Sequence, residues 1–95
     1  MSARLHVIIY DVVSDARRDK VFQLLKEYGV PVQRSAFEAR LTELEHRSLL
    51  ARVEKLLDSR IDRFACYTIG KAEEPRIKSL GVPRPEIEEG EVVIV

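Results

Sequence analysis

The sequence predicts an α+β sandwich, with two helices laid on one face of an antiparallel sheet. Two helix-type segments carry i, i+3, i+4 apolar spacing. They alternate with extended β-branched stretches, and stop and start signals mark the joints. The first stretch, LHVIIYDVV from Leu5 to Val13, is continuous and apolar, the pattern of a central strand buried on both faces. Ser14 and Asp15 offer N-cap oxygens to a helix whose apolar face carries Val21, Phe22, Leu24, Leu25 and Tyr28. Gly29 is placed to end that helix in the left-handed conformation, and Pro31 prevents resumption. Val30 to Leu41 reads as extended, either one bulged strand or two short strands joined tightly.

Thr42-x-x-Glu45 is a capping box, in which each side chain satisfies the other residue's free backbone donor. The helix it opens bears an apolar stripe of Leu49, Leu50, Val53, Leu56 and Leu57. Asp62 to Gly70 alternates and ends in glycine, a further strand signal. Strand, helix, extended pair, helix, strand is the βαββαβ order of a ferredoxin-like sandwich. Residues 1–70 are expected to complete this core, with residues 71–95 as a tail. The tail contains Pro75, Pro83 and Pro85, the acidic stretch from Glu86 to Glu91, and a β-branched terminus from Val92 to Val95. An apolar strand of that kind must pair with an edge, either in its own sheet or in the sheet of a second copy. We expect crossing to a second copy, because a sheet covered by helices on one side still has another face to hide.

A length of 95 residues allows one domain. Sixteen Lys and Arg balance sixteen Asp and Glu, which excludes a polycationic binder, and 45% hydrophobic residues exclude disorder. The lone Cys66 can form neither an internal disulfide nor a multi-cysteine zinc site, which suits a reducing cytoplasm. The N-terminal MSARLHVIIYD reaches an aspartate too early for a signal-peptide core, and no apolar run approaches the ~18 residues of a membrane span. A cytoplasmic protein without a membrane role is expected.

Asp11 ends an apolar strand directly after Tyr10. Its carboxylate is either a ligand for a hard metal such as Mg²⁺ or a loop aspartate bonded to nearby backbone N–H groups. Arg17 and Arg18 stand in a first helical turn, where cations oppose the macrodipole by roughly 0.3–1 kcal/mol each. They are either charge-balanced by Asp15 and Asp19 or placed to bind phosphate. Gln33, Arg34, Ser35 and Phe37 form a polar-aromatic cluster. Within it Phe37 reads as core, and Ser35 has no base nearby in sequence to make it a nucleophile. His6 reads as packed in its strand, His46 as a solvated helix residue and Cys66 as a core thiol. No P-loop, GxGxxG or HExxH motif is present.

Taken together, Tyr10-Asp11, Arg17-Arg18, Tyr28-Gly29 and the strand Val32-Gln33-Arg34-Ser35-Ala36-Phe37-Glu38 resemble the CRISPR-associated protein two family of spacer-acquisition proteins. The motif-bearing match runs from about Leu5 to Thr42, and Ala36 departs from the valine common in that family. The resemblance implies a ferredoxin-like homodimer whose terminal strands complete the partner's sheet. It implies a Mg²⁺-dependent endonuclease acting on RNA or double-stranded DNA, with Asp11 as metal ligand beside Tyr10. Arg17 and Arg18 would neutralise phosphate, and Ser35 or Phe37 would shape the site. It also implies that the dimer bridges a CRISPR integrase partner while holding duplex.

One candidate aspartate ligand per chain is too few for a two-metal nuclease, so a metal site would have to be shared across the dimer. The competing readings are a non-catalytic duplex-binding scaffold, a related toxin-type ribonuclease, and an RNA-binding or small-molecule regulatory domain of the same fold. The RNP1 consensus is not matched by RSAFEARL.

Overall fold

A computed structural model describes residues 2–87. Strands β1 (Arg4–Asp11), β2 (Val30–Gln33), β3 (Ala36–Leu41) and β4 (Arg63–Ile69) form one sheet in the order β2-β3-β1-β4. Each adjacent pair is antiparallel. Helices α1 (Asp15–Lys26) and α2 (Glu43–Glu54) supply the remaining elements of the βαββαβ order. The expected fold class and the central place of β1 are both observed. The terminal segment Val92 to Val95, expected to form a crossing strand, lies outside the described residues. Among the described residues no helix is long and apolar enough to cross a membrane.

The ambiguous stretch resolves into two strands. β2 carries an irregularity between Pro31 and Gln33, and the two residues Arg34 and Ser35 turn the chain into β3. Ser35 takes the positive φ of that turn, 62°, a conformation that costs a residue with a Cβ about 1–2 kcal/mol. β1 alternates its side chains. Ile8 and Tyr10 point into the core with Phe37, Ala39 and Leu41 of β3, and Val21, Leu24 and Leu25 of α1 close over them. The opposite face of β1 is not fully covered. Leu5 is buried there but Ile9 is 50% exposed, so the expectation of burial on both faces holds for only part of the strand.

Local signals act as read at most joints. Ser14 caps α1, its Oγ accepting from the Arg17 N–H at 3.3 Å. The capping box of α2 is complete, with Thr42 N–H donating to Glu45 at 2.8 Å and Glu45 N–H donating to Thr42 at 3.2 Å. The expected stripe of α2 is narrower than its sequence suggests. Leu49 and Val53 are buried, whereas Leu50 is partly exposed and Leu56 and Leu57 pack from beyond the helix end.

Gly29 corrects an expectation. Its φ is not positive, and α1 instead ends in tightened turns, with Tyr28 N–H and Gly29 N–H both donating to Leu25 O. The glycine is needed for close approach. A Cβ there would lie 2.3 Å from the Glu38 carbonyl oxygen and 2.7 Å from the Ala39 Cβ.

After β4 a single 3₁₀ turn, Glu74–Arg76, redirects the tail across the sheet face opposite the helices. Arg40 of β3 holds Glu74 in a bidentate pair at 2.7 and 2.8 Å and donates to Ile87 O at 3.1 Å. Arg84 reaches back to Glu38, which is buried beneath it. The tail thereby covers the β2–β3 half of this face. Ile9 and Tyr67, on β1 and β4, remain 50% and 56% exposed.

Candidate active site

The geometry at the C-terminal end of β1 separates two residues that adjoin in sequence. Alternation turns Tyr10 toward the helices, where it is 5% exposed and stands 6.3 Å from the Phe37 ring, with burial raising its phenol pKa. Asp11 points to the other face, exposed to solvent, with Arg63 opposite it on β4. Among the described residues the Asp11 carboxylate makes no hydrogen bond or ion pair. Of the two readings of Asp11, the loop aspartate bonded to nearby N–H groups is therefore not the one observed. That role belongs to Asp62.

Asp62 is the residue the sequence reading missed. Its side chain is fully enclosed and accepts from four groups. These are Arg17 Nε at 2.8 Å, a second Arg17 nitrogen at 3.1 Å, Val13 N–H at 3.0 Å and Asp58 N–H at 2.8 Å. Arg17 thus spends its guanidinium on fastening the segment after β1 to the segment before β4, and it holds in place the strand end that carries Asp11. No periodicity marks Asp62; the only clue was an aspartate at a strand's threshold. The helix-dipole penalty expected for Arg17 is offset by this carboxylate, and that for Arg18 by Asp15 at 2.8 Å. Arg18 also donates to the Val12 and Val13 carbonyls, at 3.3 and 3.5 Å, yet its side chain remains 41% exposed at the surface.

Asp62 makes stability depend on pH. The Arg17 guanidinium, with the Val13 and Asp58 N–H groups assisting, holds its carboxyl well below the ordinary carboxylate range. A depressed folded pKa contributes stability that is complete above the unfolded value of about 4 and lost as pH falls toward the folded value. Asp62→Asn should accordingly melt several degrees below wild type at pH 7 in a calorimetric scan. The gap should narrow steadily below about pH 4. A gap independent of pH would show that the charge of Asp62 is immaterial.

The remaining predicted residues divide between support and surface. Phe37 is 1% exposed and packs edge-on against Phe22 at 5.4 Å, so it is a core residue. Ser35 reaches the site through its backbone, its carbonyl accepting the Tyr10 N–H at 3.1 Å. Gln33 and Arg34 are exposed. Cys66 packs against the core as expected, and burial pushes its thiol up to about 11. His46, expected to be solvated, instead packs against His6.

Among the described residues no three His, Cys, Asp or Glu side chains gather to hold a metal. The donor set at Asp11 nevertheless fits Mg²⁺ as a first ligand. That ion takes one or two carboxylates and fills its other positions with water and phosphate oxygens.

The fold and the site define a class, a ferredoxin-like sandwich whose candidate chemistry rests on one free aspartate where the central strand ends. The chain belongs to the CRISPR associated protein Cas2 family, whose family model matches residues 4–77. A Chloroflexus aurantiacus protein named CRISPR-associated endoribonuclease Cas2 3 is 40% identical over 76 residues, covering 80% of this chain and 82% of its own. The Thermus thermophilus CRISPR-associated endonuclease Cas2 2 is 38% identical over 94 residues, 98% of this chain and all of that one. Among solved structures, a hypothetical protein from Thermus thermophilus superposes with a TM-score of 0.77 at 40% identity, covering 88% of this chain and 99% of its own. Streptococcus pyogenes Cas2 superposes with 0.67 at 29% identity, covering 81% and 99%.

Proposed function

We propose that this chain is a spacer-acquisition protein that works as a homodimer, cleaves RNA or double-stranded DNA with Mg²⁺, and bridges an integrase partner. The observation that carries the chemical part is the exposed Asp11 carboxylate, unpaired among the described residues and held at the end of β1 by the Arg17–Asp62 anchor beside it. Family membership and the nuclease names of the relatives support the reaction class. Two copies related by a two-fold axis through the open sheet face supply two Asp11 side chains. Like charges brought together repel unless a cation lies between them, and Mg²⁺ answers that need. Bound there, the ion supplies polarisation of a phosphodiester and activation of water. Asp11 would hold the ion, Arg18 would neutralise phosphate charge at the rim, and Arg17 would act only as a positioning residue.

The dimer rests on the same face. Ile9 and Tyr67 expose apolar surface beside the half already covered by the tail, and a sheet face of this character is normally hidden. The scaffold reading also has an observation in its favour, since a single chain gathers no set of three metal ligands among its described residues.

Incubation of purified protein with RNA and with duplex DNA, with and without Mg²⁺, tests the proposal, with light scattering for the oligomer. Metal-dependent cleavage by a dimer supports it. Duplex binding without cleavage of either substrate favours the scaffold. Arg18→Ala should weaken duplex binding across sequences and lower the salt slope by about one, with little change in melting temperature. Arg17→Ala should instead lower the melting temperature, because it strands the enclosed Asp62 carboxylate.

A further inference from the structure

The register of β1 on β4 sets Asp11 directly opposite Arg63. Residues so paired in antiparallel strands project from the same sheet face, with Cβ atoms about 5 Å apart. Opposite charges at that spacing commonly join, yet no ion pair or hydrogen bond links these two. Arg63 is exposed and, like Asp11, bonds to no other described residue.

The arginines around it are spent differently. Arg17 is bound to Asp62, Arg18 to Asp15 and Arg60 to Asp58. Arg34, in the turn from β2 to β3, is also unpartnered among the described residues, but it lies outside the ladders and no register sets it against Asp11. The base of the Arg63 side chain is fixed on two sides. Pairing with Asp11 holds it to β1, and the residue before it is Asp62, whose enclosed carboxylate accepts four hydrogen bonds. A cation on so fixed a base loses less freedom on binding than one on a free loop.

We infer that Arg63 is a substrate-binding residue of the Asp11 site, its guanidinium taking the non-bridging oxygens of the phosphodiester that approaches Asp11. This rests on the reading of Asp11 as metal ligand. The guanidinium fork matches two phosphate oxygens, and a cation held beside a reacting phosphate stabilises the charge that develops there. It also offsets the repulsion that Asp11 presents to incoming nucleic acid. A backbone contact reads no base, so it serves RNA and DNA alike and adds no sequence preference.

The test is binding of a DNA duplex and of a single-stranded RNA over a salt series without Mg²⁺, joined to single-turnover cleavage with it. Arg63→Gln should lower the salt slope by about 0.9 on the duplex and about 0.7 on the single strand. Cleavage at saturating substrate should fall on the order of 100-fold, with melting temperature and dimer mass unchanged. Arg63→Lys should restore the slope but only part of the rate, because the charge returns without the fork. Arg47→Gln, which takes the same charge from α2, should leave the rate alone; an equal loss there would reveal a net-charge effect and overturn the contact. The slope change should persist in the Asp11→Asn background, so failure of the metal reading leaves this readout standing. An unchanged slope in Arg63→Gln overturns the contact without touching Asp11. A dimer that dissociates more readily in Arg63→Gln, with the slope unchanged, overturns it too, by placing the guanidinium in an ion pair between copies. Where wild type cleaves neither substrate, the slope alone decides.

Discussion

Gly29→Ala should destabilise the protein more than any other glycine-to-alanine change among its described residues. The new Cβ would stand 2.3 Å from the Glu38 carbonyl oxygen and 2.7 Å from the Ala39 Cβ, both far inside van der Waals contact. Neither neighbour can swing aside, since both belong to β3, where Glu38 pairs with Val7 on one side and Val30 on the other. Relief requires the end of α1 to lift from the sheet, although Val21, Leu24 and Leu25 anchor that helix in the core. Overpacking of this kind costs about 3 kcal/mol, which lowers the melting temperature of so small a domain by roughly 10–20 °C. Two controls isolate the cause. Gly70→Ala meets nothing within 4 Å and should be near neutral, and Gly81→Ala, at φ +82° in open space, should cost only about 1 kcal/mol of backbone strain. Equal losses at all three positions would refute the close-approach argument.

Asp11→Asn should abolish Mg²⁺-dependent cleavage while sparing the fold. Asparagine keeps the shape of the side chain and removes the charge, and Asp11 bonds to no described residue whose loss would disturb packing. Removing an outer partner of a metal ligand already costs 10–100-fold, so removing a ligand itself should cost at least ~100-fold in rate. Melting temperature and dimer mass should match wild type. Duplex affinity should hold or rise slightly, because two negative charges leave the dimer. If the variant cleaves as fast as wild type, Asp11 does not hold the metal. The contrast with Asp62→Asn is deliberate. One aspartate is exposed and unpaired among the described residues, so its loss should register in chemistry; the other is enclosed and bonded four ways, so its loss should register in stability.

Much of the fold was legible because its determinants are local. The Ser14 cap and the Thr42–Glu45 box act over three residues, and the apolar faces of the helices repeat within two turns. The β1–α1 and β3–α2 joints are therefore written where they occur. Asp11, Arg17 and Arg18 were legible as neighbours because they flank one short joint, from the end of β1 to the first turn of α1.

Other features depended on residues far apart in the chain. Arg17 and Asp62 are separated by 45 residues, so a side chain that reads as a phosphate ligand became a structural clamp only when β4 was laid beside β1. Gly29 reads as a helix terminator and proves to be a clearance for β3, because steric contact with another strand leaves no mark on local periodicity. His46 reads as solvated and meets His6 because packing of α2 on the sheet is fixed by its buried Leu49 and Val53, and the histidine is carried with them. By itself the sequence determined the order of elements, their caps, the core face of each helix and the residues at the end of β1. Tertiary structure alone decided which charges are spent on one another and which remain for a ligand, because burial and ion pairing arise only when distant segments share one space.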